Sequence, residues 1–257
     1  MGKQEHVDLL MQGVAVWNRW RKAYPEIRPD LEACQLSGMD LSGVDLHHAD
    51  LSFARLENAQ MKEADLSEAH LWHTNLESSY LAQARLIHCY LRRACLEWAD
   101  LSHANLSHAD LSHASLLKSH LEEVDLSHAD LTHSNLYEVH LSGANLRNAA
   151  LRFACLDGAD LCEAQLSQAN LSHADLTAAG LIGADLTDAD LSHANLFGAR
   201  LEGAKLISAK IHWANLEEVE IRDATFERAD LRGIPRSLLL ELSRQPGTNF
   251  AHISWGE

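Results

Sequence analysis

The feature that most restricts the fold of this chain is a large apolar residue at every fifth position from Leu31 to Leu231, without one insertion. Thirty-seven of these 41 central residues are leucine, and the exceptions are Met61, Ile211, Ile221 and Phe226. A small residue, most often alanine, lies two positions before the central one, as in Ala104-Asn105-Leu106. A period of five matches neither an amphipathic helix nor a simple strand, whose side chains repeat about every 3.6 and every two residues.

The spacing inside each five-residue unit indicates how the backbone runs. The central residue and the small residue are two positions apart, so both can point inward from one short extended segment. The other three positions are mostly polar or glycine and suit a turn. An extended side followed by a turn, repeated without change, predicts a coiled backbone around a narrow core of leucine and alanine.

These units resemble the repeats of the pentapeptide-repeat family, and the resemblance covers residues 31–231. It implies an all-β solenoid, a right-handed quadrilateral β-helix in which four pentapeptides make one coil of 20 residues. On this basis we expect about ten coils and a rod roughly 50 Å long, because neighbouring strands lie ~4.8 Å apart. Alanine suits the inside because a larger side chain would overfill the core, at a cost of about 1–3 kcal/mol.

The chain is predicted to have three parts: an N-terminal capping helix and linker at 1–30, the β-helix at 31–231, and a C-terminal capping helix and tail at 232–257. Each coil of a solenoid contacts only its neighbours, so both ends need a cover. Residues 4–23 are predicted to form one amphipathic helix with Leu10 and Trp17 on its apolar stripe. A second stripe, which includes Trp20, leaves room for a partner.

At the other end, Ser237 is predicted to cap the N-terminus of a short helix over 238–244, after Pro235 stops the repeat. The tail contains Phe250, Ile253 and Trp255, which is too aromatic for a typical disordered segment. Two interpretations stay open here. The tail either packs on its own chain or contacts a second subunit, so the protein is expected to be a monomer or a homodimer through the tail.

Charge and hydropathy restrict the partners. The net charge is −16, and residues 31–231 alone hold 13 basic and 31 acidic residues. An acidic rod repels nucleic acid and acidic membranes and attracts basic proteins. The simpler interpretation is that Asp and Asn precede the central residue because they suit corners. No signal peptide and no segment of roughly 18 apolar residues is visible, so we expect a cytoplasmic protein that binds neither membrane nor nucleic acid directly.

Histidine is abundant, and ten of the 17 histidines lie two positions after a central residue. With 20 residues per coil, one edge collects the candidate partner-binding residues His73, His113, His133, Phe153, His173, His193 and Trp213. Two interpretations are open. The edge is a docking strip whose binding depends on pH, because protonated rings ~4.8 Å apart repel one another. Alternatively, it is a by-product of duplicated Leu-Ser-His-Ala-Asp units. Metal binding by neighbouring rungs is not expected, because parallel side chains do not converge as tetrahedral ligands must.

No feature of the sequence indicates catalysis or a cofactor. Ser107, His108 and Asp110 recur as a combination on several faces, whereas a catalytic triad is one unique arrangement beside an oxyanion site. Phosphate-binding, nucleophile-elbow and metal motifs are absent, and the five cysteines form no C-x-x-C pair. We therefore expect no enzyme.

The leading hypothesis is a non-enzymatic protein-interaction scaffold that uses the acidic, histidine-bearing faces of the rod. The family resemblance implies an alternative, since some members mimic DNA and bind DNA gyrase or another DNA-binding protein. Those members tend to have phenylalanine at their centres, whereas Phe226 is the only such centre here. A structural spacer is the third hypothesis.

Overall fold

The computed structural model describes residues 4–256, in which a long solenoid is flanked by short helices. Helix α1 spans Gln4–Leu10, α2 spans Val14–Ala23 and α3 spans Arg236–Leu242. Between α2 and α3 the backbone repeats one five-residue pattern, a single bridging residue followed by a turn. The described residues contain no strand of several residues, because a turn interrupts each extended side; the coils pair through isolated parallel bridges.

The bridges fix the register of the coils. Asp110 pairs in parallel with Asp130, and the same separation of 20 residues holds for every bridge whose two residues both lie within 30–230. The Leu111 N–H donates to the Asp130 carbonyl at 2.7 Å, and the Asp110 N–H donates to the Cys89 carbonyl at 2.9 Å. Each coil is therefore hydrogen-bonded to both neighbours, and four pentapeptides make one coil as predicted.

The core is a narrow column of central residues and alanines. Leu111 is 0% exposed and Ala109 is 1% exposed, and the other coils repeat this burial. Where serine replaces alanine its hydroxyl is satisfied locally: the Ser134 Oγ donates to the Leu131 carbonyl at 2.7 Å. The structure confirms the predicted core of leucine and alanine.

Each corner is a tight turn whose third residue has a positive φ. The Ala114 N–H donates to the Leu111 carbonyl at 3.0 Å, and His113 between them has a φ of 59°. A type II turn requires a positive φ at this position and favours glycine. Most corners hold another residue type, which keeps the left-handed conformation because the coils on both sides fix it. Side chains at this position lie on the outside of the corner.

The N-terminal segment is two helices rather than the single predicted helix over 4–23. The chain turns at Met11 and Gln12, and Gly13 has a φ of 102°, where only glycine is readily accommodated. The helical path therefore breaks, and α1 packs on α2. Leu10 and Trp17, predicted on the apolar stripe, are both buried.

Helix α2 supplies hydrogen bonds to the first coil. The Trp17 Nε1 donates to the Asp45 carbonyl at 2.7 Å, and the buried Arg21 guanidinium donates to the His47 carbonyl at 2.9 Å. In the second coil, the two carbonyls at the equivalent positions accept hydrogen bonds from backbone N–H groups of the first coil. Two side chains of α2 thus replace donors that a preceding coil would provide.

Helix α3 begins two residues earlier than predicted. It starts at Arg236, the N-cap position is Pro235, and no side chain caps it, so Ser237 lies inside the helix. Proline suits this position because its fixed φ matches a helix start and it has no N–H to satisfy. After the helix, the Gln245 side chain accepts from the Ile221 N–H at 2.7 Å and donates to the Val219 carbonyl at 2.9 Å.

The C-terminal tail resumes the repeat. Asn249 bridges in parallel to Thr225 and Ser254 to Asp230, each across 24 residues rather than 20 because α3 is inserted. The Phe250 ring stacks on the Phe226 ring at 4.9 Å. The tail packs on its own chain, and its contact with a second subunit stays a prediction.

Candidate interaction surfaces

The outside of the solenoid divides into four corner strips. We name the sides A, B, C and D after the central residues Leu111, Leu116, Leu121 and Leu126 and all centres that lie multiples of 20 residues from them. Strip AB contains the two residues after each centre of side A and the residue before each centre of side B. Strips BC, CD and DA are defined in the same way.

The structure brings most of the predicted site residues together on strip AB. His113 and His133 are stacked with ring centroids 5.1 Å apart, and Phe153 lies 4.8 Å from His133 and 4.9 Å from His173. His193 continues the stack 4.8 Å from His173, with an interplanar angle of 1°. Five exposed rings therefore form one continuous stack, called the ring stack below.

The remaining two predicted residues lie outside the ring stack. His73 stacks on Phe53 at 5.2 Å, and Arg93 occupies the coil between His73 and the ring stack. At the other end, His193 meets His212 edge-on at 5.9 Å, while Trp213 is 59% exposed. His73 and Trp213 extend the surface without continuing the stack.

Stacking alone does not distinguish strip AB from the others. On strip DA, His108 lies 4.7 Å from His88 and 4.8 Å from His128. On strip BC, His120 and His140 are stacked at 4.8 Å. Such stacks follow from identical residues 20 positions apart, so a second property is needed to single out a docking surface.

Charge separates strip AB from the other three strips. Within residues 31–231, strip AB carries only two carboxylates, Glu32 and Asp175. It carries four arginines, which are Arg55, Arg92, Arg93 and Arg152. The other strips hold the remaining 29 of the 31 acidic residues. The acidic, histidine-bearing faces that the sequence predicts include strip DA, whereas the ring stack lies on a strip with only two carboxylates.

Many of the aspartates have a local structural role. The Asp110 Oδ1 accepts from the Ser112 N–H at 3.0 Å, and aspartates before other central residues repeat this bond. At Asp40, hydrogen bonds from the Ser42 hydroxyl and N–H hold the pKa of the carboxyl below its usual range. These bonds support the interpretation that aspartate suits the corner.

One group of serine, histidine and aspartate side chains is close enough to compare with a catalytic triad. The Ser192 Oγ lies 3.3 Å from the His212 Nδ1, and this same nitrogen lies 3.5 Å from the Asp230 Oδ2. In a triad the two partners contact opposite ring nitrogens, so that the histidine can accept the serine proton. The group does not have that geometry.

The repeat region matches a known protein family. The family model for pentapeptide repeats matches in copies at 30–67, 64–102, 104–143, 125–161, 144–181, 184–223 and 194–233. The chain belongs to the pentapeptide-repeat family. As in its relatives, the backbone is a right-handed β-helix solenoid.

Several solved pentapeptide-repeat structures are similar to this protein. HetL, involved in heterocyst differentiation regulation in the cyanobacterium Nostoc sp. strain PCC 7120, is 35% identical, with 80% of this chain and 94% of HetL covered and a TM-score of 0.36. QnrB1, a plasmid-mediated fluoroquinolone resistance protein, is 14% identical, with 79% and 89% covered and a TM-score of 0.48. Rfr23 from the cyanobacterium Cyanothece 51142 is 28% identical, with 53% and 64% covered and a TM-score of 0.31.

A search of curated proteins found no significant match. Among the residues that the structure describes, no helix has both the length and the apolar character needed to cross a bilayer.

Proposed function

We propose that this pentapeptide-repeat protein is a non-enzymatic protein-interaction scaffold that binds its partner along strip AB. The observation that carries the proposal is the ring stack, which lies on the one strip of residues 31–231 that is not acidic. Aromatic residues and arginine are enriched in protein interfaces, whereas aspartate and glutamate are depleted. Strip AB combines four aromatic residues and four arginines with only two carboxylates, whereas each of the other strips carries at least eight carboxylates.

The charge of strip AB selects the kind of partner. Its arginines favour an acidic segment, and Arg152 already lies over the Phe153 ring, 5.3 Å from the ring centroid. Stacked imidazoles repel one another when protonated, and carboxylates of a partner would offset that repulsion. We therefore propose an acidic docking segment for strip AB. A basic partner, expected from the net charge alone, would bind the other strips instead.

The docking prediction is tested by replacing the four histidines of the ring stack, His113, His133, His173 and His193, with asparagine. Asparagine tolerates the positive φ of the corner, and Asn148 has a φ of 58° at an equivalent position. We expect capture of the partner from the soluble fraction of the source cell to fall at least tenfold, because the stacked rings and their protonable charge are lost.

The matched control replaces His88, His108 and His128 of strip DA with asparagine. These rings are stacked in the same way, but they lie on an acidic strip. We expect the control to capture the partner as well as the unchanged protein does. Equal capture by both variants, with unchanged circular dichroism spectra, would show that strip AB is not the docking surface.

The second candidate function is DNA mimicry, favoured by the carboxylates on strips BC, CD and DA. A rod with rows of carboxylates presents a negative surface on three of its four corners. The test is a supercoiling assay with purified DNA gyrase. Inhibition, or protection of gyrase from its inhibitors, supports mimicry, and no effect at micromolar protein excludes it for this enzyme.

We also propose that the segments outside 31–231 act as caps and that the protein is cytoplasmic.

The C-terminal end leaves Leu240 and Trp255 more than half exposed beside a groove of about 190 Å³ that is also lined by Phe250. Monomer and homodimer are distinguished by light scattering of the unchanged protein and of Trp255→Arg. A dimer that dissociates in the variant places the subunit contact at this end.

A further inference from the structure

Three side chains near the N-terminal end of strip DA form a cluster that the docking proposal does not use. His47, His48 and Glu68 each offer one ligand atom, and these atoms all lie within 4.8 Å of one another. The His48 Nδ1 is 3.4 Å from a carboxylate oxygen of Glu68. The rings of His47 and His48 have centroids 3.9 Å apart and are tilted by 49°.

These side chains converge, whereas those of the stacked histidines do not. His108 and His128 are parallel within 2°, so their ring nitrogens point in the same direction. His47 and His48 are consecutive in one turn, and their ring planes are tilted by 49° rather than parallel. Glu68 follows His48 by 20 residues, one coil later. The three ligand atoms therefore come together although His48 and Glu68 lie on neighbouring rungs.

The distances suit a zinc-class ion. Zinc lies about 2.0–2.1 Å from imidazole nitrogen and about 2.0–2.2 Å from carboxylate oxygen, so two such ligands at a tetrahedral angle are about 3.4 Å apart. The His48 and Glu68 atoms already have this separation. Their side chains are 49% and 48% exposed, which leaves them free to rotate toward the third ligand.

His47 provides an independent observation that points to a ligand. Its Nδ1 is shielded from solvent and has no hydrogen-bond partner among the described residues 4–256. A buried ring nitrogen normally has a partner. The backbone of His47 is held in place by Arg21, which donates to its carbonyl at 2.9 Å. The residue is therefore fixed in position with one polar atom unsatisfied.

We propose that His47, His48 and Glu68 bind one divalent transition-metal ion of the zinc class. Imidazole ligands favour zinc over magnesium or calcium, and two imidazoles with one carboxylate leave a fourth position open. His48 and Glu68 line a groove of about 300 Å³ together with Arg28 and Tyr90. The ion joins two successive coils, since its ligands come from both, and so stabilises the N-terminal end of the solenoid.

The test is a titration of tag-free protein with Zn²⁺ after removal of bound metal by a chelator. His47→Ser, His48→Asn and Glu68→Gln place residue types that the chain already has at equivalent positions of strip DA, so their folding is preserved. We expect each to lower the Zn²⁺ affinity at least tenfold. We also expect Zn²⁺ to raise the melting temperature of the unchanged protein but not of the variants, and Co²⁺ to give a visible absorption band only in the unchanged protein.

The control is His108→Asn, which removes an imidazole from a stack on the same strip but leaves the cluster intact. It should bind Zn²⁺ as the unchanged protein does. An affinity that changes less than twofold in both His48→Asn and Glu68→Gln would overturn the proposal. So would an equal loss in His108→Asn, because binding would then be spread over the surface histidines.

Discussion

Replacing Trp17 with alanine is expected to lower the free energy of unfolding by about 3–5 kcal/mol, the cost of truncating a fully buried aromatic side chain. Trp17 is 0% exposed, and its Nε1 is the donor to the Asp45 carbonyl in the first coil. The variant loses the packing and leaves that carbonyl unpaired at the end of the core. Because solenoid stability is a sum over neighbouring coils, the N-terminal coils should unfold first. Equilibrium urea unfolding followed by circular dichroism measures the change.

Two further variants separate the causes. Trp17→Phe keeps most of the ring but cannot donate, so it should cost about 1–3 kcal/mol, the penalty for an unsatisfied buried group. Trp72→Ala, in which the ring is 47% exposed, should change stability by less than about 1 kcal/mol. If Trp17→Ala unfolded like Trp72→Ala, α2 would not be a cap.

Replacing Leu131 with alanine is expected to lower the free energy of unfolding by about 2–5 kcal/mol, because it removes buried apolar surface and leaves a cavity in the core. Leu131 is 0% exposed, and the residues stacked above and below it are leucines of the same side. A cavity in a middle coil weakens the contacts with both neighbours, so the unfolding transition should broaden or divide into two. Thermal and urea unfolding measure both effects.

The control for this prediction is Ser134→Ala in the same turn. Ser134 is 1% exposed, and its hydroxyl donates to the Leu131 carbonyl, but alanine occupies the equivalent position in the coils on both sides. The change should stay within about 1 kcal/mol of the unchanged protein. Similar stabilities for Leu131→Ala and Ser134→Ala would contradict a core filled by the central leucines.

The coil could be predicted from the sequence because the five-residue period is unbroken. Every corner position follows once the register of 20 residues is known, including the ring stack from His113 to His193. The separation of charge was also present in the sequence. Counting charges by column instead of over the whole repeat region would have placed Arg92 and Arg152 beside the histidines and nearly all the acids elsewhere.

The ends were harder to predict because the period stops there. The apolar periodicity predicted a single helix over 4–23, but the backbone at Gly13, with a φ of 102°, interrupts the helix. The tail contains two further units, centred on Phe250 and Trp255, but α3 shifts them out of the register that ends at Leu231. A search restricted to one uninterrupted register therefore misses them.

The cluster at His47 was missed for a different reason. Its ligands are two consecutive residues and one from the next coil, so no periodic pattern marks them. Nearly every corner has the same positive φ, so the backbone conformation alone does not mark this one. Sequence spacing does not report the tilt between two neighbouring side chains, and only the structure shows it.

Residues 20 apart are stacked neighbours, and the ring stack and the charge of strip AB both depend on this arrangement. Nitroxide spin labels at positions 133 and 153, in a background with the native cysteines replaced, test it directly by electron paramagnetic resonance. We predict strong dipolar broadening for this pair, since the rings now at these positions are 4.8 Å apart. A pair at 133 and 143, on opposite sides of the coil, should show far weaker broadening. Equal broadening of both pairs, or none at 133 and 153, would contradict the four-sided coil.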